Sequence, residues 1–166
     1  MLVFDASTLI LLSKVELLPL FCSTYGGRIC VPRGVADEVF RKESHELPLI
    51  RALMDEGRIE VEEVRKPQQV VRLMKDFGLD RGEAEAVVLA LEKGAQAVAT
   101  DDGQAIKACK LLKLPFVTAI ALLLRAREKG LLGKEQALLK LEKLSEVGRY
   151  SARIIQDARL RIEGGG

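Results

Sequence analysis

Short apolar runs alternate with stretches of helical periodicity through most of the chain. The apolar runs predict five strands, at Leu2–Phe4, Ile29–Val31, Ile59–Val64, Ala97–Thr100 and Phe116–Val117. Helices are predicted between them, through about Ser13 to Leu20 and at 33–42, Leu49–Glu56, Pro67–Phe77, 83–94, 103–113 and 119–129. Strands that alternate with helices form parallel sheets covered by helices. The pattern therefore predicts an α/β fold, a three-layer α/β/α sandwich with a central parallel sheet.

The C-terminal part of the chain is predicted to be helical, at 134–146 and 150–162, with a break at Gly148. A chain of 166 residues fits one domain with a sizeable core. We expect a single domain at 1–163, made of a core at 1–130 and extra C-terminal helices at 131–163, followed by a flexible Gly-Gly-Gly tail at 164–166.

The composition is that of a folded globular protein, since 48% of the residues are hydrophobic and 30% are charged. No apolar run approaches the roughly 20 residues that span a bilayer, so we expect no membrane segment. Residues 1–12 contain Asp5 and lack a basic leader, so no signal peptide is expected. Cys22, Cys30 and Cys109 are odd in number and far apart, which favours buried thiols in a reducing cytoplasm.

Charge is unevenly distributed along the chain, although the net charge is only +2. Residues 1–102 contain 13 basic and 18 acidic side chains, giving −5, whereas residues 103–166 contain 13 basic and 6 acidic side chains, giving +7. A basic half beside an acidic half suits an enzyme that acts on a polyanion. The alternative is that the C-terminal helices have ordinary solvated Lys and Arg faces.

Acidic residues occur where the predicted strands end and where helices begin. Asp5 closes the first strand, Glu38 follows the second, Glu83 opens the 83–94 helix, and Asp101 and Asp102 follow the strand at 97–100. Ligands of open parallel sheets collect beyond the carboxyl ends of the strands. Gathered carboxylates need a cation to offset their repulsion, and an oxygen-only set suits Mg²⁺ or Mn²⁺ better than zinc. The arrangement predicts metal-assisted phosphodiester hydrolysis.

Each of these acidic residues also has a structural explanation. Asp5 is a plausible helix cap, although the hydroxyls of Ser7 and Thr100 beside the acidic residues also suit a metal site. Glu38 borders an apolar arc and can reach a cleft, or it pairs with Lys42 at the i+4 position. Asp101-Asp102-Gly103 reads as a turn with one capping aspartate, which leaves the second aspartate unexplained. His45, the only histidine, is expected to be an exposed loop residue.

Two glutamates in the 83–94 helix are distinguished by their helical phase. Glu83 falls on the apolar side with Val87 and Leu91, whereas Glu85 falls beside Glu92 on the polar side. We therefore expect Glu83 to contribute to the site and Glu85 to be exposed. The alternative for Glu83 is a capping box with Asp80 as the N-cap residue.

Four motifs resemble those of the PIN-domain nucleases, most closely the VapC-like branch. They are Val3-Phe4-Asp5-Ala6-Ser7, Val31-Pro32 with Val35-Ala36-Asp37-Glu38-Val39, Gly82-Glu83-Ala84-Glu85-Ala86, and Thr100-Asp101-Asp102. The resemblance covers residues 1 to about 130 and implies a Mg²⁺- or Mn²⁺-dependent endoribonuclease. Asp5, Glu38, Glu83 and Asp102 would be its catalytic metal ligands, with Asp101 assisting. Glu83 stands where the family often has Asp.

Many members of this branch are toxins, so the resemblance also implies a small antitoxin partner and an RNA substrate. Candidate RNA-binding residues in the basic half are Arg125, Arg127, Arg153 and Arg159. A homodimer is one option for the assembly. The rival functions are a PIN-like module that binds RNA or protein without cutting it, and a housekeeping RNA-processing nuclease. A phosphatase of another α/β fold would need an Asp-x-Asp motif, which Asp5-Ala6-Ser7 lacks.

Overall fold

The computed structural model describes residues 1–164, and within that range it contains five strands and ten helices. The strands are β1 (Leu2–Phe4), β2 (Ile29–Pro32), β3 (Glu60–Glu62), β4 (Ala97–Ala99) and β5 (Phe116–Val117). The helices are α1 (Ala6–Lys14), α2 (Leu18–Thr24), α3 (Arg33–Arg41), α4 (Leu47–Asp55), α5 (Pro67–Phe77), α6 (Arg81–Lys93), α7 (Gly103–Leu111), α8 (Ala119–Glu128), α9 (Lys134–Val147) and α10 (Ala152–Gly164).

The strands form one parallel sheet in the order β3-β2-β1-β4-β5. The chain proceeds from β1 outwards to β2 and β3, and then returns to the opposite side of β1 with β4 and β5. The direction of strand order therefore reverses between β1 and β4, where Leu2, Val3 and Phe4 pair with Ala97, Val98 and Ala99. This reversal creates a crevice beyond the carboxyl ends of β1 and β4.

Helices cover both faces of the sheet because side chains alternate along each strand. Leu2 and Phe4 belong to a core shared with α1 to α4 and α8 to α10, whereas Val3 and Val98 belong to a core shared with α5, α6 and α7. The predicted three-layer α/β/α sandwich is confirmed. The edge strand β3 is half-buried along its length, as its partial alternation predicts.

Two details differ from the predictions. The segment after β1 contains two helices instead of one, because the backbone of Glu16 is left-handed, with φ 56°, and Pro19 then lies in the first turn of α2. The last helix reaches Gly164, so the predicted tail starts inside α10, and Gly165 and Gly166 lie outside the described residues.

No single helix within residues 1–164 is long and apolar enough to cross a membrane. Helices α1 and α2 are long and apolar enough only when they are taken together, and they are bent by 106° relative to each other. Cys22, Cys30 and Cys109 are buried and free.

Candidate functional site

The crevice between β1 and β4 receives acidic residues from both strands. Asp5 follows the last residue of β1, and Asp101 and Asp102 follow β4 after one further residue, Thr100. The amide of Asp5 donates to the carbonyl of Ala99 at 3.0 Å, which fixes the two strand ends side by side. The topology therefore brings together residues that are almost a hundred positions apart in the sequence.

Asp5 is held rigidly at the start of α1. Its Oδ1 accepts hydrogen bonds from the Ser7 hydroxyl at 2.7 Å and from the Thr8 amide at 3.2 Å, while Oδ2 accepts one from the Thr100 hydroxyl. The side chain is 1% exposed. Burial raises the pKa of Asp5 to about 6, and the neighbouring charge of Asp101 adds to this, against hydrogen bonds that lower it. Asp5 is thus both a helix cap and a buried carboxylate.

Asp101 is engaged by the protein on both of its carboxylate oxygens. Oδ1 accepts from the Tyr150 hydroxyl and from the Ala119 amide, and Oδ2 accepts from the Thr8 hydroxyl at 2.5 Å and from the same amide at 3.0 Å. Burial raises the pKa of Asp101, while the Thr8 and Tyr150 hydrogen bonds lower it. This is the second aspartate that a simple capping turn leaves unexplained.

Asp102 is the N-cap residue of α7. Its Oδ1 accepts from the amides of Gln104 at 2.9 Å and Ala105 at 2.8 Å, while its own amide donates to the Thr100 hydroxyl at 3.2 Å. Capping occupies only one carboxylate oxygen. Asp102 is half-buried, and its negative charge is among the causes that raise the pKa of Glu83, so the two carboxylates lie near each other.

Glu83 forms the capping box that is the structural alternative for this residue. Its Oε2 accepts from the Asp80 amide at 2.9 Å, and Asp80 Oδ1 accepts from the Glu83 amide at 2.8 Å. Burial raises the pKa of Glu83 to about 7, and the negative charges of Asp80, Asp102 and Asp5 add to this effect. Glu83 therefore caps the helix and also lies close enough to the other carboxylates for their charges to raise its pKa.

Glu38 completes the acidic lining of a small cavity. Asp5, Glu38, Asp80 and Glu83 line one cavity of about 140 Å³ together with Ser7. Lys42 also lines this cavity, and its Nζ lies 2.7 Å from Glu38 Oε1, so the predicted i+4 ion pair is present. Glu38 thus reaches the cavity and also forms the ion pair, while its role as a metal ligand stays a prediction.

A family model, DUF3368, described as a PIN domain, matches residues 1–163. The chain belongs to this PIN-domain family. No curated protein matches the chain. Membership supports a nuclease, and the matched range includes α9 and most of α10, beyond the core at 1–130 in which the sequence resemblance is concentrated. The VapC-like branch stays a prediction.

The expectation that Glu85 is exposed is wrong. In this PIN domain Glu85 is 6% exposed, with Oε2 accepting from the Gly34 amide at 2.7 Å and Oε1 paired with Arg81 Nε at 2.7 Å. A Cβ atom at Gly34 would lie 2.4 Å from Glu85 Oε2, so only glycine fits there without displacing the carboxylate. Glu85 is buried because α3 packs against the first turns of this helix, whereas Arg81 at the helix start is exposed.

The four predicted ligands are neighbours, but they do not form a closed cluster. Among residues 1–164, the one group of three His, Cys, Asp or Glu side chains with ligand atoms within 4.8 Å of one another is Cys30, Glu60 and Glu62. That group lies on β2 and β3, where Arg28 pairs with both glutamates and Lys93 pairs with Glu62. Its acidic members are therefore already neutralised by basic side chains.

The candidate RNA-binding residues of the PIN domain are dispersed. Arg125 lines a different cavity, of about 390 Å³, with Gln96 and Pro115, at the amino ends of β4 and β5 and thus at the opposite end of the sheet from the acidic cavity. Arg153 and Arg159 are exposed on α10, and Arg127 is half-buried on α8. Only Arg153, three residues after Tyr150, is close in sequence to a residue that contacts the acidic crevice.

Sequence reasoning missed Tyr150 as a site residue. It lies in the connection between α9 and α10, and its hydroxyl reaches Asp101 across 49 positions of sequence. Tyr150, two residues after Gly148, belongs to no recognisable sequence motif. Its connection with the site is visible only in the three-dimensional contact with Asp101.

Proposed function

We propose that the protein is a Mg²⁺- or Mn²⁺-dependent endoribonuclease whose metal ligands are Asp5, Glu38, Glu83 and Asp102. The observation that carries this proposal is that Asp5, Glu38 and Glu83 line one cavity while the charge of Asp102 acts on Glu83. Family membership supports the nuclease class, and the +7 balance of residues 103–166 supports a polyanionic substrate.

The donor set fits a hard divalent cation. All four side chains offer carboxylate oxygens, which Mg²⁺ and Mn²⁺ prefer. Burial raises the pKa of Asp5 to about 6 and of Glu83 to about 7, and neighbouring carboxylates add to both shifts, so a bound cation would offset an unfavourable concentration of negative charge. Asp101 is left out of the ligand set because each of its oxygens accepts two hydrogen bonds, whereas Asp5 Oδ2 accepts one, from Thr100.

The protein's own groups hold the acidic residues in place for this chemistry. A divalent cation, when bound, supplies positive charge that stabilises the phosphate undergoing attack and makes water more acidic. Ser7, Thr8 and Thr100 orient the Asp5 carboxylate, and the helix caps fix Glu83 and Asp102 at one oxygen each. Lys42 neutralises Glu38 in the absence of a cation and is long enough to turn away towards a phosphate.

A toxin role is the finer part of the proposal. It is supported by the resemblance of the four motifs to the VapC-like branch. In that role a small antitoxin would present an Arg or Lys side chain to the acidic cavity, since such a charge pairs strongly with carboxylates. A homodimer is compatible with this proposal, and a housekeeping nuclease is the alternative.

The test compares wild type with Asp5→Asn, which removes one charge at nearly constant shape. Wild type should cleave single-stranded RNA only with Mg²⁺ or Mn²⁺, and Asp5→Asn should lose at least about 100-fold in kcat, as expected when a group that stabilises transition-state charge is removed. Gel analysis of end-labelled RNA, with excess EDTA as a parallel lane, measures both. Undiminished cleavage by Asp5→Asn or in EDTA would contradict the metal mechanism.

The same pair of proteins separates a toxin from a housekeeping nuclease. Expression of wild type alone in a bacterium should slow growth, and Asp5→Asn should relieve the effect. Normal growth with soluble, metal-active wild-type protein would support the housekeeping alternative.

A further inference from the structure

Tyr150 links the C-terminal helices to the acidic crevice. It lies in the connection 148–151, its ring packs against the core that contains α1 and α8, and its hydroxyl donates to Asp101 Oδ1. Gly148 makes room for the ring: a Cβ atom there would lie 2.5 Å from Tyr150 Cε2 and 2.8 Å from the carbonyl oxygen of Leu144. Gly148 and Tyr150 therefore pack closely together in the connection 148–151, which we call the C-terminal corner.

Two chains of hydrogen bonds connect Asp101 with Asp5. The Thr8 hydroxyl donates to Asp101 Oδ2 at 2.5 Å, and the Thr8 amide donates to Asp5 Oδ1 at 3.2 Å. The Asp101 amide donates to the Ser7 hydroxyl oxygen at 3.1 Å, and that hydroxyl donates to Asp5 Oδ1 at 2.7 Å. Ser7 and Thr8 are thus each held between the two aspartates.

We propose that Tyr150 is a positioning residue that fixes Asp101, and through Ser7 and Thr8 fixes the Asp5 carboxylate for cation binding. This inference rests on the proposed function, which it deepens by assigning a role to the C-terminal corner. It also separates the two adjacent aspartates: Asp101 is held by Tyr150, Thr8 and Ala119, while Asp102 caps α7 through Oδ1.

A purely structural role would not call for this chemistry. Asp101 places a second carboxylate close to buried Asp5, which is unfavourable for two like charges. The Tyr150 hydroxyl, the Thr8 hydroxyl and the Ala119 amide at the start of α8 offset the charge of Asp101. Hydrogen-bonded partners behind a metal ligand set its orientation, and such partners are worth about 10- to 100-fold in metal affinity or activity when removed.

The test is Tyr150→Phe, with Tyr25→Phe as its matched control. Tyr150→Phe removes only the hydroxyl and leaves the ring that packs on the core. Tyr25, the other of the two tyrosines in the chain, contacts Gln96 at the opposite end of the sheet, so its variant removes the same group far from the crevice. We expect Tyr150→Phe to weaken Mn²⁺ binding and lower kcat, each by about tenfold, with KM for RNA unchanged. Tyr25→Phe should match wild type in all three.

Tyrosine fluorescence reports the contact itself, because the chain contains no tryptophan. In the Tyr25→Phe background Tyr150 is the sole tyrosine, and hydrogen bonding of a phenol to a carboxylate quenches its emission. We expect Asp101→Asn in that background to raise the emission and to weaken Mn²⁺ binding to the same extent as Tyr150→Phe.

Calorimetric titration with Mn²⁺ and RNA cleavage kinetics separate the two proposals. If the wild-type protein cleaves RNA, and Tyr150→Phe has the same Mn²⁺ affinity and kcat as the wild-type protein, the role of Tyr150 is overturned and the proposed function stands. Wild-type protein that binds Mn²⁺ but cleaves no RNA would overturn the proposed function alone, since the effect of Tyr150→Phe on Mn²⁺ affinity still decides the positioning role. Wild-type protein that binds no Mn²⁺ would overturn both.

Discussion

Three acidic side chains of the site also cap helices. Asp5 caps α1, Asp102 caps α7, and Glu83 closes the capping box of α6. Capping and cation binding are compatible because a carboxylate has two oxygens with about four lone pairs, and the cap uses only part of them. A helix N-terminus also carries partial positive charge, which stabilises each carboxylate when no cation is bound. The capping roles of these residues are therefore compatible with the proposed cation binding.

The pH dependence of stability should report the buried Asp5 carboxylate. Its pKa is raised from 3.8 in the unfolded chain to about 6 by burial, so the folded protein binds more protons between these values. The free energy of unfolding of the metal-free protein should then fall as pH rises through this window, by about 2–3 kcal/mol from this group. Asp5→Asn should lack this decrease, which urea unfolding at about pH 4 and about pH 7 measures.

The comparison of variant with wild type reports Asp5 together with its charge effect on Glu83, whose raised pKa of about 7 acts in the same direction. Glu60 and Glu62 have lowered pKa values through their hydrogen bonds to Arg28 and Lys93, and they act in the opposite direction in both proteins. A difference in unfolding free energy between the two proteins that does not change with pH would contradict the prediction. Mn²⁺ at about pH 7 should restore stability to wild type and not to Asp5→Asn.

Helix α6 is the element for which hydrophobic periodicity gave a wrong prediction of burial, that of Glu85. It contacts α3, α5, α7 and strands β1, β2 and β4, so Gly82 and the run from Ala84 to Ala90 are all buried. A helix that is buried on nearly all sides has no single polar face. The angular positions of its residues then do not distinguish buried side chains from exposed ones. Glu85 is buried against α3, and Glu83 lies at the cavity one turn from the helix start.

Glutamine substitutions should separate the roles of the two glutamates. Glu83→Gln keeps an acceptor for the Asp80 amide, so stability should change by less than about 0.5 kcal/mol while Mn²⁺ affinity and cleavage fall sharply. Glu85→Gln places an amide group against either the Gly34 amide or Arg81, so it should cost about 1–3 kcal/mol of stability.

Thermal unfolding and Mn²⁺ titration of both variants measure these effects. Glu85→Gln should retain cleavage under conditions in which it is folded. An inactive but fully stable Glu85→Gln, together with a fully active Glu83→Gln, would reverse the assignment.

At the scale of the whole molecule, Tyr150 joins the C-terminal helices to Asp101, at the strand end next to Asp5. Arg153 lies in the first turn of α10 beside the C-terminal corner, and Arg159 follows about 9 Å further along the helix axis. Arg161 is paired with Glu128 at 2.6 Å and ties α10 to α8. We therefore propose α10 as the RNA-binding surface of the proposed nuclease, because Arg125 lies at the far end of the sheet.

Salt dependence of RNA binding tests this surface. In an Asp5→Asn background, which should bind without cleaving, Arg153→Ala/Arg159→Ala should lower the slope of log K against log salt by roughly 1.4, since each phosphate contact with a single strand contributes roughly 0.7. Arg72→Ala/Lys75→Ala removes the same charge from exposed positions on α5 and should leave the slope unchanged. Equal slopes in all three proteins would mean that the basic face of α10 is merely solvated.

The sequence by itself determined the fold class and the order of the acidic residues. Strand and helix periods are local properties of the chain, so β1 to β5 are recognisable from their apolar runs. The rule that ligands gather beyond the carboxyl ends of parallel strands then places Asp5 and Asp102 in one crevice without coordinates. The cap at Asp5 and the pairing of Glu38 with Lys42 were also foreseeable, because each involves residues within one helical turn.

Only the tertiary structure decided the burial of Glu85, the inward role of Asp101 and the contact of Tyr150. Each depends on partners far away in sequence: Gly34 for Glu85, Thr8 and Ala119 for Asp101, and the corner between α9 and α10 for Tyr150. Local periodicity carries no information about which helix packs against which. Adjacent Asp101 and Asp102 look equivalent in the sequence, and they differ because Thr8 of α1, Ala119 of α8 and Tyr150 bind the carboxylate of Asp101, whereas that of Asp102 caps α7.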